Sequence, residues 1–312
     1  GSGRSGTTLL AKMIDSSPDV FYRHEPDATN RNSEIPYLPA RQDLDKYIEM
    51  ASKYLLDLLH QRDPKTCGSQ PMFKKSFRGC FGNTAHKSAA MLSKFLSKAK
   101  LSIDTPDFTR VGATPIYLIK SVNSLCRAEL FLRSNTNLRI LHIVRHPSAV
   151  RASQLRGIAE GVMKEEIYIN PLFDAEMTDS FPFTRDEVMK KTLAQQGAYT
   201  WMAQNEFVHK SIGEDERYKL VCYEELCMNF NEQAKSIFEF LNIPWSAQTN
   251  EYVSQLLNIE SGNDSYFSTH KNLTGSLYTW RNRLPEEDIA SIEEMIKLSN
   301  IGAKVLEVEK AS

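Results

Sequence analysis

No apolar run in this sequence approaches the ~18 residues that a membrane span requires. Cysteine is sparse. Cys67, Cys80, Cys126, Cys222 and Cys227 are an odd set at scattered spacings, and none forms a C-x-x-C pair. A zinc site is therefore not expected, and the plain expectation is reduced, mostly buried thiols in a cytoplasmic protein. An excess of either charge is missing too, with 38 Lys and Arg against 39 Asp and Glu. The 312 residues carry a net charge of −1, so no global field favours nucleic acid or anionic lipid, and any anion site must be local. No signal-peptide pattern, internal repeat, low-complexity tract or convincing linker is visible. What remains is ordinary for a soluble globular chain, at 41% hydrophobic and 25% charged residues. That length suits one large α/β domain or two small ones, with enough apolar surface to bury without staples.

The most informative stretch is Gly1-Ser2-Gly3-Arg4-Ser5-Gly6-Thr7-Thr8. It runs straight into Leu9, Leu10, Met13 and Ile14, which are spaced for one face of a helix. A glycine-rich turn feeding a helix start aims backbone N–H groups and the positive dipole end at one point, the usual seat of a phosphate. Gly1, Gly3 and Gly6 satisfy the dinucleotide fingerprint. Gly1 and Gly6 also satisfy the nucleoside-triphosphate spacing, but Thr7 stands where that loop has its Lys, which argues against ATP or GTP. Arg4 with the paired hydroxyls of Thr7 and Thr8 suits a single terminal phosphate carrying no metal. Such a loop normally follows a buried strand. No residues before Gly1 supply one, so a cut at this point or an omitted lead segment is expected.

Strands are predicted at 20–24, 116–119, 139–144 and 218–223. Helices are predicted at 45–59, 87–98, 124–133, 150–155, 184–211 and 231–241, with a last one from Pro285. The segments 29–41, 62–82 and 258–279 read as loop or irregular chain, and the aromatics of 245–280 as core and lid packing. Strands alternating with helices predict an α/β fold with a central parallel sheet. One domain over 1–312, with a variable insertion near 30–110, is the simplest organisation.

Strand 139–144 delivers Arg145 at its carboxyl end, where ligands bind in open α/β sheets. Ser153 follows eight residues later on a helix, so the two can flank a second anion.

These two motifs together resemble the sulfotransferase superfamily. Those enzymes use 3′-phosphoadenosine 5′-phosphosulfate, a nucleotide with phosphates at two ribose positions. The family's 5′-phosphosulfate loop is matched by Arg4 to Thr8, and its 3′-phosphate motif by Val144-Arg145-His146-Pro147 through Ser153. The resemblance continues at Ser17-Pro18-Asp19, His24-Glu25-Pro26, Leu118 to Ser121, Val221 to Leu226 and Trp280-Arg281. It covers residues 30–110 least, and it looks most like bacterial members and the carbohydrate and tyrosylprotein branches. The resemblance implies a P-loop-like three-layer α/β/α fold. It also implies that Arg4 holds the 5′-phosphate and leaving oxygen, with Ser5, Gly6, Thr7 and Thr8 completing the cradle. Arg145 and Ser153 would hold the 3′-phosphate. Tyr223 matches a nucleotide-contacting Tyr, and Lys271 lies in a late loop that in relatives folds over the cofactor. An Arg that tyrosylprotein relatives carry a turn after the Ser is here Gly157, with Arg156 one position off.

The reaction expected is in-line transfer of the sulfuryl group to an acceptor hydroxyl, accelerated by positioning and fixed cations and needing no metal. The same resemblance implies Glu25, at a strand end, as the general base and His24 as the rival, although strand alternation turns His24 to the opposite face as a packed side chain. Lys120, at another strand end, would stabilise the sulfuryl group or leaving oxygen. His60, His86 and His209 read as surface residues and His142 as core. The acceptor would be a small-molecule, lipid or carbohydrate hydroxyl, with 30–110 deciding among them. Two sequons, at Asn263 and Asn272, would matter only in a secretory compartment, the competing location being the Golgi lumen with an anchor outside this chain. Two other readings compete. One is a dinucleotide-dependent oxidoreductase with Glu25 as the ribose-binding acid, which leaves Arg4, Arg145 and Ser153 unexplained. The other is a nucleotide-binding module without catalysis.

Overall fold

The computed structural model describes every residue except 102, 166, 259–272, 276 and 312. Lys271 and both sequon asparagines lie outside the described residues. The first helix, α1 (Thr7–Asp15), leaves the glycine-rich loop directly and buries Leu9, Leu10, Met13 and Ile14. Met13 and Ile14 are at most 1% exposed, and each such burial stabilises by roughly 1.5–3 kcal/mol. Ser16 ends α1 and the chain turns at Pro18 into β1 (Val20–His24), then α2 (Pro26–Thr29). A 3₁₀ turn at Arg41–Tyr47 precedes α3 (Ile48–Leu59), so only the later part of the helix expected over 45–59 is α-helical.

The segment expected to be irregular carries two helices. α4 (Pro64–Cys67) is capped by Asp63, and α5 (Gly79–Lys98) starts well before the predicted residue 87. Next come β2 (Ile116–Lys120), α6 (Ala128–Ser134), β3 (Ile140–Val144) and α7 (Pro147–Ala159). After α8 (Ile169–Asp174), the helix expected over 184–211 is broken into α9 (Arg185–Met189) and α10 (Leu193–Ile212). Each half has its own capping box, Thr184 with Glu187 and Thr192 with Gln195, and the second box forces the restart. β4 (Tyr218–Cys222) leads into α11 (Tyr223–Met228) and α12 (Phe230–Leu241). Three further helices close the chain: α13 (Ala247–Leu257), α14 (Glu286–Ile296) and α15 (Asn300–Lys310).

The strands pair in parallel, as an α/β fold requires, but as two pairs instead of one joined central sheet. β1 lies beside β2 with His24 level with Lys120, and β3 beside β4 with Val144 level with Cys222. A cavity of about 660 Å³ separates β2 from β3, lined by Leu118, Ile119, Leu141 and Ile143 with Leu10 and Ile14 of α1. Gly1 stands at this cavity, where a Cβ would fall 2.3 Å from the Ile143 carbonyl oxygen. One apolar core gathers Tyr199 and Met202 of α10 with Ile292 and Ile296 of α14. A second joins α1, β3, β4, α12 and α13.

His142 is buried between Tyr218 Oη (2.9 Å) and Asn205 Oδ1 (2.8 Å), as a core histidine. His86, expected at the surface, is buried instead, because its Nδ1 bonds the Pro106 carbonyl oxygen at 2.7 Å. Four of the five cysteines are buried thiols, and Cys80 is exposed. Among the described residues no helix is long and apolar enough to cross a membrane.

Candidate active site

Parallel pairing brings the carboxyl ends of paired strands level, and at this edge the candidate side chains meet. A single cavity of about 910 Å³ is lined by Arg4, Thr7 and Thr8 of the glycine-rich loop and α1, by Arg145 and Ser153, and by the Glu25–Lys120 pair. His24 and Tyr223 line it as well.

The loop is held in a shape that only glycine permits at one point. Gly6 has φ +90°, and a Cβ there would lie 2.1 Å from Cδ2 of the Tyr223 ring. Arg4 is left-handed too, at φ 69°, which costs a non-glycine residue about 1 kcal/mol or more. Ser5 is fully buried and donates to the Ser2 carbonyl oxygen at 2.6 Å, pinning the loop from within. Among the described residues no side chain caps α1, and no acid stands in its first turn, so its leading N–H groups and dipole keep their pull on an anion.

Arg145 leaves the end of β3 and lies over the Tyr223 ring, 4.4 Å from its centroid. Its Nη1 donates to the Arg4 carbonyl oxygen at 3.4 Å, while its buried Nε has no hydrogen-bond partner among the described residues. The next backbone N–H, of His146, donates to the buried carboxylate of Glu224 at 3.0 Å, which fixes the turn. His146 also stacks on Trp280. Ser153, two turns into α7, accepts from Arg4 Nε at 2.9 Å. The loop arginine therefore spans from one motif to the other.

Glu25 follows β1 in the left-handed region, at φ 48°, as N-cap of α2. Its N–H donates to the Lys120 carbonyl oxygen at 2.8 Å, and its carboxylate is gripped by Lys120 on one oxygen and by Lys65 at 2.9 Å on the other. Burial alone pushes this carboxyl up. Lys120 overrides that through charge and hydrogen bond, with help from Lys65, and holds it at about 2. Burial pulls the Lys120 ammonium below its usual range, against the attraction of Glu25. His24 does not turn away from the cavity as strand alternation suggested. It is half-buried at the cavity wall and shares a 2.7 Å hydrogen bond between its Nδ1 and Tyr22 Oη. Burial first and Lys120 second lower it to about 4, so it is neutral at pH 7.

Three contributions escaped the sequence. Lys65 carries no pattern, and only the fold brings α4 to β1. Asp27 accepts from the hydroxyls of Ser121 and Ser124, the latter at 2.7 Å, and so ties the turn after β2 to α2. Buried Asp15 pairs with Lys12 (2.9 Å) and Lys75 (2.8 Å), and Lys12 also donates to the Ser69 and Pro71 carbonyl oxygens. That network straps residues 69–75 onto α1. Arg156 lines the cavity and pairs with Glu160 at 2.7 Å.

Among the described residues one histidine–carboxylate group, His146 with Glu293 and Glu309, has the compactness of a metal site. His146 Nδ1 accepts from the Ser148 N–H at 3.2 Å, and its Nε2 faces Glu309 at 3.4 Å.

No curated protein matches this chain. Among solved structures it is similar to mouse sulfotransferase SULT7A1 complexed with PAP, at 13% identity and a TM-score of 0.41, over 98% of this chain and 85% of that one. It is also similar to the sulfotransferase domain from the curacin biosynthetic pathway, at 12% identity and a TM-score of 0.40, over 95% of each chain. The family model described as "Sulfotransferase family" matches residues 1–247, and on that match the chain belongs to the sulfotransferase family.

Proposed function

We propose that this chain moves a sulfuryl group from 3′-phosphoadenosine 5′-phosphosulfate to an acceptor hydroxyl. One observation carries the reading: the glycine-rich loop, the Arg145/Ser153 pair and the Glu25–Lys120 pair line a single cavity. The Arg145 Nε, buried and without a hydrogen-bond partner among the described residues, belongs to a guanidinium that reaches the Arg4 backbone, and it is a donor that a phosphate oxygen would satisfy.

The donor supplies an electrophilic sulfur, whose bond to the bridging phosphate oxygen breaks as the bond to the acceptor oxygen forms. Arg4 and the first N–H groups of α1 would hold the 5′-phosphate, with Thr7 and Thr8 completing the cradle. Arg145 and Ser153 would hold the 3′-phosphate, and Tyr223 supports both by packing under Gly6 and Arg145. Glu25 would take the acceptor proton. Clamped at about 2 it is a weak base, and Lys120 is the switch: as this cation turns to developing negative charge, burial raises the basicity of the carboxylate it leaves. His24, already neutral, is the second candidate base, favoured by its place on the cavity wall and its bond to Tyr22. We read 1–312 as one domain, with 30–110 facing the acceptor.

Thermal-shift measurements with 3′,5′-adenosine bisphosphate, NADH and magnesium-ATP test this. The bisphosphate should raise Tm without magnesium, and Arg145→Ala should remove most of the rise. A rise with NADH alone overturns the reading.

A further inference from the structure

Helix α5 is built to do more than wall the cavity. Its buried face is Gly82, His86, Ala90 and Ser93, a helical repeat that packs inward. Turned about 180° from that face, at about 100° per residue, stand Phe81, Met91, Leu92 and Phe95. They are 84%, 59%, 58% and 70% exposed. Leu101 and Ile103, 57% and 51% exposed, continue the patch just past the helix end, where Ser93 Oγ holds the Ile103 carbonyl oxygen at 2.7 Å. Single exposed apolar residues such as Phe81 need no explanation, but the five gathered at the last turns of this helix and its exit do.

Charge settles what such a face would meet. Lys87, Lys94 and Lys98 fall in one row along the flank of the apolar face. Across α5 and its exit, residues 79–103, there are four Lys and no Asp or Glu, in a chain whose net charge is −1. A second copy of this chain is a poor occupant, because a two-fold contact through α5 would set each lysine row close to its own copy. An apolar strip with a cationic flank matches the interface of an anionic bilayer, where acyl chains receive the aromatics and headgroup phosphates the ammonium groups.

We propose that α5 docks this protein on the surface of an anionic membrane, lying in the interface plane without spanning it. Lys94 and Ser97 of the same helix line the catalytic cavity, so docking sets the cavity beside the headgroups.

Vesicle flotation with the full chain tests the proposal. The probes are phosphatidylcholine vesicles with and without about 30% phosphatidylserine, in about 0.1 M and about 0.5 M salt. Binding is expected only with phosphatidylserine, and it should weaken at least ~10-fold at the higher salt. Met91→Ser with Phe95→Ser should reduce binding at least ~10-fold, as should Lys87→Glu with Lys98→Glu, with the bisphosphate Tm rise intact in both. All four side chains are exposed, so folding should survive their replacement. No binding to phosphatidylserine vesicles, or equal binding by the parent and both variants, overturns the proposal. So does a dimer in light scattering that Phe95→Ser dissolves while vesicles stay unbound. The proposal stands apart from the sulfotransferase reading, since vesicle binding is scored without donor or acceptor.

Discussion

Replacing Glu25 by Gln should destabilise the protein in a way that depends on pH, and the size follows from the clamp around that carboxylate. Its folded-state pKa is about 2, against an ordinary 4.5. A depressed carboxyl adds stability that is complete above about pH 4.5 and drains away as pH falls toward 2. The interval is worth about 3 kcal/mol. Lys65 is half in solvent and the Glu25 side chain 17% exposed, so screening trims the usable part to about 2 kcal/mol. An amide at position 25 can still accept from Lys120, which limits the cost of leaving that ammonium buried. Urea unfolding of the parent and E25Q at a series of pH values is the assay. E25Q should be about 2 kcal/mol less stable at pH 7, with the gap closing below about pH 3. Other acids titrate in both proteins and cancel in the difference. A gap below about 0.5 kcal/mol at pH 7, or one that stays constant on acidification, refutes the clamped carboxylate.

Gly6→Ala should cost about 2–4 kcal/mol in urea unfolding, because the new methyl meets the Tyr223 ring at a left-handed φ; a loss under ~1 kcal/mol would mean the loop is not fixed as described. Lys120→Met should lower kcat for sulfuryl transfer at least ~100-fold while bisphosphate affinity changes less than ~3-fold, and equal losses in both would make Lys120 a binding residue only. E25Q and His24→Ala separate the bases: the proposal expects E25Q to abolish turnover and keep the bisphosphate Tm rise, whereas normal turnover in E25Q hands the role to His24.

The sequence reading went furthest where local pattern and tertiary role coincide. The octet Gly1 to Thr8 predicts a loop feeding a helix, and α1 starts at Thr7. The short apolar runs at 116–119 and 140–144 become β2 and β3, although Ile116 and Tyr117 stay exposed. The same octet and strand ends bring Arg4, Glu25, Lys120, Arg145, Ser153 and Tyr223 to one cavity. Illegible parts depend on partners far away in the chain. Lys65 becomes significant only when α4 reaches β1, and His86 is drawn inside by the Pro106 carbonyl oxygen. The α9–α10 break was readable, since Thr192 and Gln195 repeat the box spacing of Thr184 and Glu187, but continuous periodicity masked it. α15 gives no separate signal because its Ser299 cap follows so soon after α14. His24 keeps the strand alternation, bonding Tyr22 two residues back, and still lines the cavity, because alternation does not tell which face the cavity opens on.

The central claim is that the glycine-rich loop and the Arg145/Ser153 pair grip two phosphates of one adenosine. Calorimetric titration of the parent and Arg145→Ala with adenosine 3′,5′-bisphosphate and with adenosine 5′-phosphate tests it most directly. The account predicts that Arg145→Ala erases the advantage of the bisphosphate, on the order of 10- to 100-fold, while affinity for the 5′-phosphate nucleotide stays nearly unchanged. If Arg145→Ala weakens both nucleotides equally, or neither, the two motifs do not share a ligand.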